Sequence, residues 1–187
     1  MPFKFMHRTL IMVSAIMLFT QCDVIKDLMT EPTGSKSTSS GTTKPPSSRE
    51  QRLNDREVQL REDIVSYAKK QLGKRYKYAG RTPKQGFDCS GFTYYVMSNF
   101  DIRLSPSSRE QENEGRPVDV SNAKTGDLIF FRRSKKGAVF HVALVVSNTK
   151  EGLTVIHSTS RGVVVDNISR SSYWKPKIST ARDVVSG

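Results

Sequence analysis

Apolar residues recur along this chain in three rhythms, and each predicts a different element. Leu10 to Phe19 is a short, nearly unbroken apolar run behind Lys4, His7 and Arg8. Between residues 50 and 72, Leu60, Ile64, Val65, Ala68 and Leu72 form an apolar stripe among charged neighbours, which predicts one long amphipathic helix stopped by Gly73. Its first turns, up to Gln59, are mostly polar and are expected to project from the domain. A second helix is predicted from Asp88, a good N-cap, through Phe92, Tyr95, Val96 and Phe100. Ser105 to Gln111 has the character of another helix start, and Tyr76-Lys77-Tyr78 alternates like a half-buried strand. After residue 127 the rhythm changes: 128–132, 140–147, 153–158 and 163–166 are rich in Val, Ile and Phe, with turn-formers between them. Helices first and strands after predict an α+β domain with an antiparallel meander.

Composition divides the chain. Only 36% of its 187 residues are hydrophobic, so part of it is not expected to pack. Residues 1–21 have the basic start and short apolar core of a secretory signal. Cys22 follows at once, as in a bacterial lipoprotein signal, which makes it the expected lipidated residue; Gln21 stands where that pattern has a small residue. Ser, Thr, Pro, Gly and Lys dominate the stretch from residue 30 to residue 50, so 22–50 is expected to be a disordered tether and 51–187 the globular domain. The formal charge of +12 points to an anionic partner. No zinc-finger, helix-turn-helix or RNA-binding aromatic motif is present, so nucleic acid is not expected.

The candidate chemistry rests on few residues. With Cys22 lipidated, Cys89 is the lone thiol, and it sits at a predicted helix N-terminus, where the helix dipole favours an anion and a lowered thiol pKa is expected. His141 begins one predicted strand and His157 closes the next. If the two pair through the turn at 148–152, both histidines share one sheet edge. Cys89 against that edge makes a thiol, a base and an orienting group. A zinc site from the same three residues is the rival chemistry; their spacing lacks the short helical or knuckle pattern of zinc ligands, and no metal or other cofactor is expected.

Taken in order, Asp88-Cys89-Ser90-Gly91-Phe92, Gly126-Asp127-Leu128-Ile129-Phe130-Phe131, His141-Val142-Ala143-Leu144-Val145, Val155-Ile156-His157-Ser158, Tyr173-Trp174 and Ala181-Arg182 resemble the NlpC/P60 family of cell-wall cysteine peptidases. The resemblance implies a papain-like fold with helices packed on a curved antiparallel sheet. It implies Cys89 as nucleophile, His141 as base in a preformed thiolate–imidazolium pair, and His157 as the third member. It further implies substrate contacts from Tyr76, Asp88 and Ser90. Ala79 departs from the usual Gly before Gly80, and the turn between the histidine strands, with Lys150 and Glu151, is longer than usual. Together with the lipoprotein start, the chain resembles envelope murein endopeptidases. Peptidoglycan peptides are then the expected partners of a monomer tethered by lipid to a membrane of the bacterial envelope, facing the periplasm. Basic residues including Lys74, Arg81, Arg132 and Arg133 would steer it to murein carboxylates. Two other functions fit parts of the pattern: a non-catalytic murein-binding lipoprotein, and a thiol acyltransferase.

Overall fold

The computed structural model describes residues 47–186. The expected signal, the lipidation of Cys22 and nearly all of the tether lie outside them.

Helix α1 (Ser48–Lys69) starts earlier than the tether boundary at residue 50 allows, because Ser47 and Glu50 form a capping box. The Glu50 N–H donates to Ser47 Oγ at 3.3 Å, and the Ser47 N–H donates to Glu50 Oε2 at 2.7 Å. The N-terminal half of α1 is exposed, including Leu53 and Val58, while Arg61, Ile64, Val65 and Ala68 are buried. Leu72 falls beyond the helix and is 47% exposed, so it does not belong to the stripe. Gly73 adopts φ 77°, a left-handed conformation that glycine reaches without strain.

Two short strands, β1 (Arg81–Thr82) and β2 (Gly86–Phe87), make a small antiparallel ribbon before α2 (Cys89–Ser98). The expected strand at Tyr76–Tyr78 is one isolated bridge from Tyr76 to Phe87, with Tyr78 81% exposed. The turn at Ala79, with φ 56°, ends the alternation. A four-residue helix, α3 (Ser108–Gln111), is the element seeded at Ser105.

The sheet contains β3 (Arg116–Val118), β4 (Leu128–Arg132), β5 (Val139–Thr149), β6 (Gly152–Thr159), β7 (Gly162–Asn167) and β8 (Ile178–Asp183). Its order is β3-β8-β4-β5-β6-β7, and every pairing is antiparallel. β4 to β7 are the predicted meander. β3 and β8, which extend the sheet beyond β4, carry too little apolar alternation to be read from the sequence.

β4 shows how the core is divided. Leu128 and Phe130 pack with α1 and α2 through Ile64, Phe92 and Val96. Ile129 and Phe131 point the other way, into a second cluster with Val155, Ile168 and Ala181. Both faces of the central strands are covered, which explains their near-continuous apolar sequences. This is the expected papain-like α+β arrangement, with helices on one face of an antiparallel sheet. Among the described residues, no helix is long and apolar enough to cross a membrane.

A buried ion cluster locks α1 to the sheet. The Arg61 guanidinium donates to Glu57 Oε1 at 2.8 Å, Asp127 Oδ1 at 2.7 Å and Asp183 Oδ1 at 2.8 Å. It also donates to the Thr125 carbonyl at 2.9 Å and to Ser186 Oγ at 2.7 Å. The Gly126-Asp127 motif thus serves the fold: Asp127 Oδ2 accepts from the Lys124 N–H at 2.8 Å, closing the turn that launches β4.

Candidate active site

Cys89 is placed by its neighbours. Asp88 caps α2, its Oδ1 accepting from the Gly91 N–H at 2.6 Å and its Oδ2 from the Ala79 N–H at 2.9 Å. Gly91 has no substitute here: a Cβ would stand 2.1 Å from the Gly80 carbonyl. Phe87, the residue before the cap, bridges to Tyr76, and its carbonyl accepts from buried Ser158 Oγ on β6 at 2.7 Å. The start of α2 is therefore pinned to the β6 strand that carries His157.

The two histidines meet as the hairpin register requires. Leu144 lies opposite Ile156, so Ala143 falls beside His157 and His141 is its diagonal neighbour on one face. His141 Nε2 is 3.0 Å from His157 Nδ1. His157 Nε2 is in turn 3.0 Å from Asp166 Oδ2, and Arg161 donates to the same carboxylate oxygen. The network assigns the protons. The carboxylate accepts, so His157 carries its proton on Nε2 and accepts at Nδ1. His141 then donates from Nε2, which leaves its Nδ1 without a proton. Trp174 stacks on the His141 ring at 4.7 Å between centroids and 28° between planes, holding its orientation.

Cys89 and His141 line one cavity of about 780 Å³, together with Tyr76, Phe140, Trp174, Arg133 and Arg161. A second lobe of about 530 Å³ opens from the same place, lined by Asp88, Ser90, Arg81, Arg109 and Pro106. Tyr76, Cys89 and Phe140 belong to both lobes, so the thiol sits where the two meet. Tyr76 is close enough to feel its neighbours: burial, then the charges of Cys89 and Asp88, push its hydroxyl pKa up. Ser90 is buried, donating from Oγ to the Pro106 carbonyl at 2.9 Å. Tyr76, Asp88 and Ser90 thus border the cleft, but Asp88 and Ser90 also hold the loops that form it.

The electrostatics differ from expectation. Burial pushes the Cys89 thiol up and outweighs the N–H groups of Val142, Ser90 and Cys89 itself, which favour the thiolate. Burial, and then His157, push His141 down to about 3. His157 is lowered as well, burial outweighing its hydrogen bond to Asp166. Both shifts favour the neutral forms, thiol and imidazole, and oppose the ion pair that the helix N-terminus by itself promotes. Among the described residues, no group of three or more His, Cys, Asp and Glu is arranged to hold a metal.

Sequence reasoning brought Cys89, His141 and His157 together, and it left out Asp166. The signal was available: with the β6–β7 turn at 160–162, His157 falls opposite Val164, and Asp166 lies two residues further on the same face. Arg132, a candidate for steering, is paired with Glu112 at 2.6 Å and is not free to do so.

Residues 73–183 match the profile of the NlpC/P60 family. The chain is 43% identical over 124 residues to a gamma-DL-glutamyl hydrolase of Bacillus subtilis, an alignment covering 65% of this chain and 29% of that protein. It is 35% identical over 133 residues to the murein DD-endopeptidase MepS/murein LD-carboxypeptidase of Escherichia coli, covering 70% of this chain and 66% of the relative. The chain thus spans less than two thirds of the length of either curated relative. Among solved structures, an NlpC/P60 family protein from Bacillus cereus superposes with a TM-score of 0.61 at 31% identity, covering 67% of this chain and 40% of that one.

Proposed function

The chain belongs to the NlpC/P60 family, and from that premise we propose that it is a thiol peptidase that hydrolyses peptide bonds in the stems or cross-bridges of peptidoglycan. The observation that carries the reading is one cavity lined by both Cys89 and His141, with His141 held through Nε2 by the His157–Asp166 chain.

In this mechanism Cys89 Sγ attacks the scissile carbonyl as His141 Nδ1 takes the thiol proton. The upward shift of the thiol and the downward shift of the imidazole favour a proton transfer that accompanies attack. The carbonyl oxygen, now an oxyanion, is held by the backbone N–H of Cys89. The amine leaves with the proton from His141, and the C–N bond is replaced by a thioester. Water then attacks, giving its proton to His141, and the thiol is released with a free carboxylate on the product. His157 keeps the His141 ring in the useful tautomer. Tyr76, Asp88 and Ser90 contact the substrate across the second lobe, while Arg81, Arg109, Arg133 and Arg161 give both lobes a cationic lining suited to stem carboxylates.

We further propose that Cys22 is lipidated and that the protein works as a monomer at a membrane of the cell envelope, its domain facing the periplasm. The names of the relatives, a murein endopeptidase among them, support the substrate class.

The test is digestion of purified sacculi by the full chain, with released fragments weighed by mass spectrometry. Loss of cross-linked dimers with gain of intact monomers identifies cross-bridge cleavage. Shortened stems identify a cut at the γ-D-glutamyl bond. Sacculi left unchanged would overturn the hydrolase reading. Joined products in place of hydrolysed ones would favour acyl transfer.

A further inference from the structure

The orienting chain behind His141 does not end at His157. Asp166 projects from β7 and accepts from His157 Nε2 at 3.0 Å, with its side chain 20% exposed. Arg161, in the β6–β7 turn, donates to the same oxygen. Burial works to raise the Asp166 pKa, but hydrogen bonds from His157 and Arg161 outweigh it and hold the carboxyl below its usual range. It is therefore an anion that only accepts.

We propose that Asp166 is a positioning residue of the thiol–imidazole site: by accepting from His157 Nε2 it sets the proton on each ring and leaves Nδ1 of His141 open to the thiol. The inference rests on the peptidase reading for its kinetic consequence, but the proton positions are a property of the free protein.

Two imidazoles joined Nε2 to Nδ1 share one proton between them, and they have two self-consistent arrangements. In one, His157 donates to Asp166 and His141 donates to His157. In the other, His157 donates to His141, whose proton then sits on Nδ1, where it blocks the base. The second arrangement also sets the lone pair of His157 Nε2 against a carboxylate, inside a fully buried ring. An ionised Asp166 rejects it. Among the described residues, no side chain other than Asp166 is hydrogen-bonded to the pair. Cys89 on α2, Tyr76 before β1 and Arg133 after β4 line the same cavity as His141 without a hydrogen bond to either ring. Arg161 is a donor and cannot accept from His157.

The experiment uses the full chain with ¹⁵N-labelled histidine. Long-range ¹H–¹⁵N spectra report the tautomer of each ring at neutral pH, for wild type, Asp166→Asn, Asp166→Ala and Asp166→Glu. The expected result is Nε2–H on both His141 and His157 in wild type, a mixed or reversed pattern in the Asn and Ala variants, and restoration in Glu. Thermal melts identify any variant that has lost its fold; Asp166→Glu, which keeps the charge, serves as the rescue. On a muropeptide substrate, kcat should fall about 10- to 100-fold in Asp166→Asn with KM little changed. The acid limb of the pH profile should move as well. Unchanged Nε2–H signals and an unchanged pH profile in folded Asp166→Ala would overturn the proposal. If wild type shows no hydrolysis, the peptidase reading fails, while the tautomer spectra still decide the role of Asp166.

Discussion

Two of the domain's buried polar chains differ in how they end. Around Arg61, donors and acceptors close on one another: Glu57, Asp127, Asp183, Thr125 and Ser186 occupy the guanidinium, and Arg116 takes the second oxygen of Asp183 at 2.7 Å. From Asp166 through His157 to His141, each link is also satisfied, but the last one is not. His141 Nε2 is taken by His157, the hydrogen bonds give its Nδ1 no partner, and the residue lines the same cavity as Cys89. A closed polar chain fixes helix to sheet. An open one keeps a lone pair available to a substrate. Burial is common to both, so burial alone does not mark a reactive site; the unpartnered end does.

The largest effect is expected at the open end. Cys89→Ala should reduce hydrolysis of sacculi by about a thousandfold or more while leaving the melting temperature nearly unchanged. Loss of the fold together with activity would make Cys89 a packing residue. The closed chain predicts the reverse. Arg61→Ala leaves Asp127 and Asp183 buried beside each other, and urea unfolding should show a loss of about 3–5 kcal/mol. Retained stability would show that the cluster is replaceable.

A smaller effect comes from pH. His141 is held near 3 when folded but titrates near 6.5 when unfolded, so the unfolded chain binds the extra proton between those values. Its contribution is complete above pH 6.5 and is lost as pH falls toward 3. Asp183, held below its usual 3.8, adds a loss as the pH falls below that value. Stability at pH 5 should therefore lie on the order of 1–2 kcal/mol below that at pH 7, as measured by denaturant midpoints. His141→Gln should remove much of this difference. The smallest effect tests a polar pair that belongs to neither chain. Tyr67 and Tyr95 join their hydroxyls at 2.9 Å, and burial with this bond pushes Tyr67 up to about 12. Tyr67→Phe should cost about 0.5–1.5 kcal/mol and leave turnover unaffected.

What could be read in the sequence follows from how local each signal is. The meander was legible because β4 to β7 follow one another through short turns, so each strand's apolar run stands beside its partner's. The meeting of His141 and His157 came from the same hairpin logic. β8 was not legible: Ile178 to Asp183 pairs with β4 across a separation of some fifty residues, and only Ala181 there is fully in the core. Asp127 was legible as part of a motif, but its role was not, because its partner Arg61 lies on α1 and looked like one more surface charge. The upward shift of the thiol pKa was hidden for a similar reason. The helix N-terminus is visible in sequence, whereas the burial that opposes it arises from β5 and the Tyr76 loop folding over Cys89. Leu72 failed because helical spacing continues past the point where the helix stops.

Whether chemistry occurs at Cys89, the open end of the chain, is decided by measuring turnover and thiol labelling together. The full chain is alkylated stepwise with iodoacetamide, the fraction modified at Cys89 is read by peptide mass, and hydrolysis of a defined cross-linked muropeptide is measured at each step. Turnover should fall in direct proportion to labelling at Cys89 and reach zero when labelling is complete. Turnover that persists with Cys89 fully alkylated would contradict chemistry at that residue.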